Sequence, residues 1–497
     1  MFSIPKFEFD KFKIDGNIAD YISAEFAVQN KIAPLQKEDE KIYIAMVDPT
    51  DLLLINDLEN ITNSKVFPLQ ATNEEIKKLH DKIYPGDTKK EEILEELSTD
   101  LPAPTNQISE LQTVIQKAPI VKLGNMIISR AVKLKASDIH LEPQSNDLRV
   151  RYRIDGVLKT EMMLPNSAQM ALISRFKIIA DLDITEQRIP QDGRIEEEIA
   201  GTRIDMRIST LPTIFGEKVV IRILNKNREL LDLKKIGFSR INYKNYTRLI
   251  SSNYGIILLT GPTGSGKTTT LFSSLNKLNS EEKNIVTIEN PVEYRIDGIN
   301  QVQAKNKIGL TFARTLRSIL RQDPDILMVG EIRDKETARI AVRAALTGHL
   351  VFSTLHTNDA VRSISRLLDM GVPSYMVASS LIGVVAQRLV RKICAECKTD
   401  QVIPAHEAGF FPEKKDYKLF YGKKCENCNN TGYQGRTALH EILVVDNKIK
   451  KMITEKRAIE EIKQYALQKD MITLKEDGIN KALKGLTSYD ELIRVLQ

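Results

Sequence analysis

The stretch Gly261-Pro262-Thr263-Gly264-Ser265-Gly266-Lys267-Thr268 fits the pattern G-x-x-x-x-G-K-[ST] and decides the reading of the chain. Ile256, Ile257, Leu258 and Leu259 lead into it as a buried strand would, and Leu271, Leu275 and Leu278 follow at helical spacing. The glycines therefore fall between a strand and a helix, where the backbone can curl and aim its N–H groups at an anion. The helix N-terminus adds positive potential at the same point. In this pattern Lys267 reaches the β- and γ-phosphates of a nucleotide and Thr268 holds Mg²⁺, with Thr269 completing the nucleotide-binding candidates. A glycine-rich structural turn is the plain alternative, and the strand–loop–helix context speaks against it.

Outward from this loop, short apolar strands at 256–260, 285–288, 326–329 and 350–354 alternate with helical stretches such as 312–320 and 336–346. Such alternation predicts an α/β domain over 237–390, a mostly parallel sheet with helices on both faces. Ligands bind beyond the C-terminal ends of strands in such a sheet, and the other candidate motifs fall there. Glu289-Asn290-Pro291-Val292-Glu293 follows one strand, and Gly330-Glu331-Ile332-Arg333-Asp334 follows the next. Many phosphate-loop NTPases end that second strand with an aspartate that binds Mg²⁺ through water; here Gly330 stands in its place and Glu331 comes after. A carboxylate there can order or deprotonate an attacking water, and the sequence leaves Glu293 and Glu331 both open as the base. His356, in Ser353-Thr354-Leu355-His356-Thr357, can report on a γ-phosphate when neutral and stabilise its departure when charged. The structural alternatives are capping carboxylates for Glu293 and Glu331, and core or surface histidines for His356 and His349.

Upstream, 108–228 reads as a separate α+β domain with a helix at 120–132 behind Pro119. Leu148, Val150, Tyr152 and Ile154 alternate with Arg149, Arg151 and Arg153, and Asp155-Gly156 is a hairpin signal. A second strand sets Ile204, Met206 and Ile208 against Arg203, Asp205 and Arg207, and a third, 218–224, carries Arg222. Gln191-Asp192-Gly193-Arg194 reads as a tight turn. A solvated sheet face accounts for any one arginine, but several on one small sheet suit phosphate oxygens, because guanidinium forks match them. Residues 1–88 read as a small α/β docking or regulatory domain, with a strand at 42–46 and helices at 18–27 and 74–83. A polar stretch over 89–107 reads as a helix and a flexible linker.

Cys394-Ala395-Glu396-Cys397 and Cys425-Glu426-Asn427-Cys428 form paired C-x-x-C knuckles, the pattern of one tetrahedral Cys₄ zinc site in a subdomain at 391–435. Four thiolates leave no open position, which makes the site structural; independent reduced cysteines are the alternative. From 436 to 497, apolar faces at 449–453, 459–467 and 472–483 predict a closing helical subdomain. The 497 residues suffice for several domains with their own cores. A net charge of +6, scattered along the chain, supplies no basic stripe for nucleic acid. No run of about 18 apolar residues is present to span a membrane. The first ten residues lack the apolar core of an export signal.

Together these residues resemble the secretion ATPase superfamily, in the branch of type II secretion and type IV pilus assembly motors, from about residue 108 to the end. Leu320-Arg321-Gln322-Asp323-Pro324-Asp325 running on through Ile326-Leu327-Met328-Val329-Gly330-Glu331-Ile332-Arg333-Asp334 is close to that family's signature. Ser137-Asp138-Ile139-His140-Leu141-Glu142-Pro143 and Gly432-Tyr433-Gln434-Gly435-Arg436 also match. The four cysteines favour the assembly branch over retraction motors. The resemblance implies a RecA-like third domain, a PAS-like second domain, a homo-hexameric ring on the cytoplasmic face of the inner membrane, and ATP in the cleft between the two domains. It puts Glu293 on the catalytic glutamate of the aspartate box, Glu331 on the Walker B glutamate and His356 on the histidine-box residue. Arg194, Arg207 and Arg222 fall on arginines that reach the nucleotide, and Arg436 near adenine or ribose. It implies ATP, Mg²⁺ and Zn²⁺ as ligands, and inner-membrane platform and cytoplasmic-ring proteins as partners. Asn290 replaces the usual aspartate of its box. The arginine-leucine-glycine opening of cyclic dinucleotide-binding versions is not found, so the sequence favours partner docking over that ligand. Two other classes use the same parts. A nucleotide-gated scaffold without turnover is opposed by Glu331 and His356, and a nucleic-acid translocase by the scattered charge.

Overall fold

The computed structural model describes residues 5–7, 14–15, 18–22, 24–84, 118–199, 202–224, 232–293, 295–413 and 415–497. The expected helix and linker at 89–107 lie outside them. The chain divides into two units, Met1–Asn225 and Lys226–Gln497.

The first unit opens with a 3₁₀ turn (Ile18–Asp20), α1 (Ala24–Gln29), β1 (Ile32–Glu38), β2 (Lys41–Met46), α2 (Leu52–Thr62), β3 (Lys65–Gln70) and α3 (Asn73–Ile83). The sheet order is β1-β2-β3, with β3 parallel to β2. The single helix expected over 18–27 is instead two short pieces. So short a segment has little helical stability of its own, and docking of Ile18, Ile22 and Ala27 into the core sets its path.

The same unit continues with α4 (Ala118–Lys133), β4 (Asp138–Pro143), β5 (Asp147–Ile154), β6 (Val157–Pro165), α5 (Asn166–Ile179), β7 (Gln191–Ile199), β8 (Thr202–Thr213) and β9 (Gly216–Leu224). They form an antiparallel six-stranded sheet of order β6-β5-β4-β9-β8-β7. Period-two alternation sends Ile139, Leu141, Val150, Tyr152, Met206, Ile208, Val219 and Ile221 to one face, in one core with Leu123, Ile127, Leu172 and Phe176 of the helices. The Asp155-Gly156 hairpin forms as expected, both residues at positive φ (48° and 87°). The expected turn at Gln191–Arg194 is instead the start of β7. Gly193 serves close packing: a Cβ there would stand 2.7 Å from the Ala180 carbonyl oxygen and 2.9 Å from Leu182.

The second unit contains α6 (Arg240–Ile250), β10 (Gly255–Thr260), α7 (Lys267–Leu278), β11 (Ile285–Glu289), β12 (Asn300–Gln303), α8 (Phe312–Ile319), β13 (Ile326–Val329), α9 (Lys335–Leu346) and β14 (Leu350–Leu355). Then come α10 (Arg362–Asp369), α11 (Ser374–Ser380), β15 (Leu381–Ile393), β16 (Lys398–Ile403), β17 (Tyr417–Gly422), β18 (Tyr433–Val444), α12 (Asn447–Thr454), α13 (Ile459–Gln468), α14 (Leu474–Leu483) and α15 (Tyr489–Leu496). The seven-stranded sheet has order β12-β11-β13-β14-β10-β15-β18, parallel except for the β15–β18 pair. Two apolar clusters fill its two faces. Residues just past Gly435 were expected to be helical, but they continue β18. The run Ala438-Leu439, with Ile442-Leu443, is buried in the sheet, and α14 covers its edge: Asp477 accepts the His440 N–H (2.9 Å) and Lys481 donates to the Ala438 carbonyl (2.6 Å).

Candidate nucleotide site

Parallel pairing sets the C-terminal ends of β10, β11, β13 and β14 along one edge of the sheet, and four motifs gather there. The glycine-rich loop leaves β10 and enters α7. Gly261, Gly264 and Gly266 sit at φ 146°, 78° and 86°, conformations that side chains resist, so glycine is required for the curl. Lys267 is buried, and its Nζ donates to the carbonyls of Gly261 (2.8 Å) and Pro262 (2.9 Å). Burial pushes its ammonium down to about 8; the Arg388 charge adds to the effect and Glu331 opposes it. Thr268 is exposed on the first turn of α7, and the Ser265 hydroxyl is buried without a hydrogen-bond partner inside the loop.

Glu331 follows β13. Its carboxylate meets Arg333 Nε at 2.6 Å and His356 Nε2, which follows β14, at 3.9 Å. Desolvation lowers His356 from the usual imidazole range, with Lys267 adding to this and Glu331 opposing it. Hydroxyls stitch these strand ends together. Thr354 Oγ1 donates to the Gly330 carbonyl (2.7 Å), Ser353 Oγ to the Val329 carbonyl (2.7 Å), and Thr260 Oγ1 accepts the Thr357 N–H (2.7 Å). Asp334 caps α9 by accepting the Thr337 N–H (2.8 Å), a structural use of the signature's last residue.

Glu293 lies in the segment after β11, where its N–H bonds to the carboxylate of Glu289. Glu289 is buried. Burial raises its carboxyl, against bonds from Thr287 Oγ1 (2.6 Å) and Gln301 Nε2 (3.1 Å). Asn290 is exposed. Arg436 lies on β18 opposite Arg391, beyond the point where β15 stops pairing with β10, and is exposed.

The arginines of the first unit share a row. Cross-strand register places Arg194 opposite Arg207, Arg207 opposite Arg222, Arg222 opposite Asp138, and Asp138 opposite Arg153, on one face of the six-stranded sheet. Asp138 is buried and accepts from Arg222 Nε at 3.0 Å. Four residues on along β4, buried Glu142 accepts from Arg149 (3.0 Å), Arg151 (2.8 Å) and Lys218 (2.9 Å). Arg149, Arg151 and Arg153 are therefore held by internal carboxylates.

Beyond β15 the four cysteines converge, their sulfurs all within 4.8 Å of one another. Sγ pairs at 3.7, 3.8 and 3.9 Å match the edge of a tetrahedron whose centre lies about 2.3 Å from each sulfur. Cys428 Sγ also accepts N–H bonds from Cys425 (3.2 Å) and Gly432 (3.1 Å), which suit a thiolate. The donor set fits a zinc ion held by four thiolates.

The strand reading missed Gln387 and Arg388, in the middle of β15 just past its pairing with β10, beside the loop. Gln387 is buried; its Nε2 donates to the Ser265 carbonyl (2.9 Å) and its Oε1 accepts from Thr270 Oγ1 (2.8 Å). The apolar run 381–386 ahead of them was the available signal.

A parallel sheet with a glycine loop, an acid and a histidine at its strand ends defines a phosphate-loop nucleoside triphosphatase fold. The family model of the Type II/IV secretion system protein matches residues 114–494, and that of the MshEN domain matches residues 2–90. The chain belongs to the Type II/IV secretion system protein family. The Type IV pilus assembly ATPase PilB of Myxococcus xanthus is 41% identical, over 99% of this chain and 89% of the relative. The Type II secretion system ATPase E of Vibrio cholerae is 48% identical, over 76% of this chain and 75% of the relative. Among solved structures, the pilus retraction motor PilT with bound ADP superposes with a TM-score of 0.50 at 27% identity, covering 74% of this chain and 96% of PilT. The ATPase DotB of Legionella pneumophila shares the fold, with a TM-score of 0.56 at 20% identity over 79% of this chain and 97% of DotB. Among the described residues no helix is long and apolar enough to cross a membrane.

Proposed function

We propose that the chain is an ATPase motor that binds Mg·ATP at Gly261–Thr268 and uses its hydrolysis to drive type II secretion or the assembly of a type IV pilus or competence pseudopilus. One observation carries the reading: the curled loop holding Lys267, the Glu331 carboxylate and the His356 ring converge on one edge of a parallel sheet. The relatives' names support the same activity. Loop N–H groups and Lys267 hold the β- and γ-phosphates, and Glu331 or Glu293 orders the attacking water. Thr268 would hold Mg²⁺, which would offset phosphate charge. Neutral His356 reads the γ-phosphate. Arg194, Arg207 and Arg222 clamp the developing charge, and Arg436 lies toward adenine or ribose. The motor works as a ring of six at the inner membrane, with residues 1–88 docking to its platform and cytoplasmic-ring proteins. The four cysteines hold a structural zinc.

Phosphate release by the wild type, Lys267→Ala, Glu293→Gln and Glu331→Gln tests this. Lys267→Ala should be inactive, and the true base should lose about 10²–10⁴-fold on its amide substitution. Full activity in Lys267→Ala would end the proposal.

A further inference from the structure

Arg388 touches the root of the phosphate loop, and the roles assigned above do not use it. β15 lies parallel to β10 with Thr260 beside Ala386, so Gln387 and Arg388 come level with Gly261. The half-buried guanidinium forks between two carbonyls: Nη2 donates to Asn358 (3.0 Å) and Nη1 to Gln387 (3.1 Å). A Cβ on Gly261 would stand 2.5 Å from the Gln387 oxygen and 3.0 Å from Arg388 Nη1, so the first glycine of the loop is pressed against this pair. Asn358 lies two residues past His356 in the same strand-end segment. On its far side Arg388 lines a cavity of about 530 Å³ shared with Asp359, Glu441 and Lys463. Asp359 pairs with Lys463 of α13 at 3.4 Å, and Glu441 accepts the Ala360 N–H at 2.8 Å. The 356–360 segment is thus held from both sides: Arg388 ties it to Gln387, whose side chain donates to the loop's Ser265 carbonyl, and Thr260 at the loop's root accepts the Thr357 N–H.

We propose that Arg388 is a positioning residue for the phosphate loop. It locks the loop to the segment carrying His356, and its charge sets the Lys267 ammonium against a like neighbour, which favours release of that ammonium to an incoming phosphate. This rests on the ATPase reading above. The charged and titratable groups facing Lys267 are Arg388 from β15, Glu331 after β13 and His356 after β14. Burial and Arg388 both lower the Lys267 ammonium, so removing Arg388 moves its titration to higher pH.

The test is the pH dependence of kcat and kcat/KM for phosphate release from Mg·ATP by the wild type, Arg388→Gln and Arg388→Lys. Arg388→Gln should lose about 10- to 100-fold in kcat/KM, with the alkaline limb displaced upward. Arg388→Lys keeps the charge without the fork. It should therefore hold the alkaline limb at its wild-type position while recovering only part of the rate. Wild-type kcat/KM in Arg388→Gln overturns the proposal, as does a rate loss with an unmoved limb and no rescue by lysine. Should Arg388→Gln fail to fold, Arg388→Lys decides alone, and full wild-type kcat/KM there overturns the forked contact. A wild type without turnover removes the ATPase reading and this proposal with it; an active wild type matched by both variants removes only this proposal.

Discussion

The polar face of the six-stranded sheet and the strand-end edge of the seven-stranded sheet both bury charge, and they treat it in opposite ways. On the first, Glu142 is surrounded by donors. Burial works to raise its carboxyl, and the bonds from Arg151 and Lys218 more than reverse this, holding it down to about 2. On the second, Lys267 is pushed down to about 8 and His356 below its ordinary range, while burial raises Glu289. Charge matched inside the fold fixes the fold; charge left poorly matched beside a glycine loop is arranged for a ligand. In the row of Arg194, Arg207 and Arg222, Asp138 accepts from Arg222 Nε at 3.0 Å.

The sharpest way to break this contrast is to compare two substitutions. Lys267→Ala should cost about 10³-fold or more in phosphate release while leaving the melting temperature unchanged or higher, because a buried, poorly compensated ammonium is removed. Glu142→Gln should lower stability by about 3–5 kcal/mol in denaturant unfolding, since Arg149, Arg151 and Lys218 lose their shared partner. If Glu142→Gln is as stable as wild type, the sheet's acids are not structural.

Titration separates the regions again. Phosphate binding needs the protonated form of Lys267, which is lost as pH rises through about 8, so kcat/KM should fall above that pH. Bound phosphate stabilises the ammonium, so kcat should fall less. Glu142 has the opposite sign. Its folded value is depressed, so its contribution to stability is complete above its ordinary value of 4.5 and is lost as pH falls toward about 2. Acid unfolding followed by circular dichroism should show that loss.

The smallest expected effect lies at the cysteines. Removing zinc with a chelator should expose 394–428 to protease before nucleotide binding is lost. Elemental analysis finding no metal in reduced protein would refute the site.

Local pattern made much of this legible. The strands at 256–260, 285–288, 326–329 and 350–354 are apolar runs of the right length, and the loop between the first and α7 needs glycine at three positive-φ positions. The arginines of β5 and the core residues between them followed from alternation alone. What the sequence hid depends on pairing between distant segments. β15 lies beside β10 and β18 beside β15, and only that pairing brings Gln387 and Arg388 next to Gly261. Gly193 read as a turn because its reason, the approach of Ala180, is a tertiary contact. Asp138 and Glu142 carried a family pattern, but their service to Arg222, Arg149 and Arg151 needed the register of β4 with β5 and β9.

The central claim is that the poorly matched charge at the strand ends hydrolyses ATP. Single-turnover release of phosphate from γ-labelled Mg·ATP, with the wild-type chain in excess, tests it most directly. The account predicts release well above the uncatalysed rate, abolished in Lys267→Ala. Tight nucleotide binding with release no faster than background would contradict it and leave a nucleotide-gated scaffold in its place.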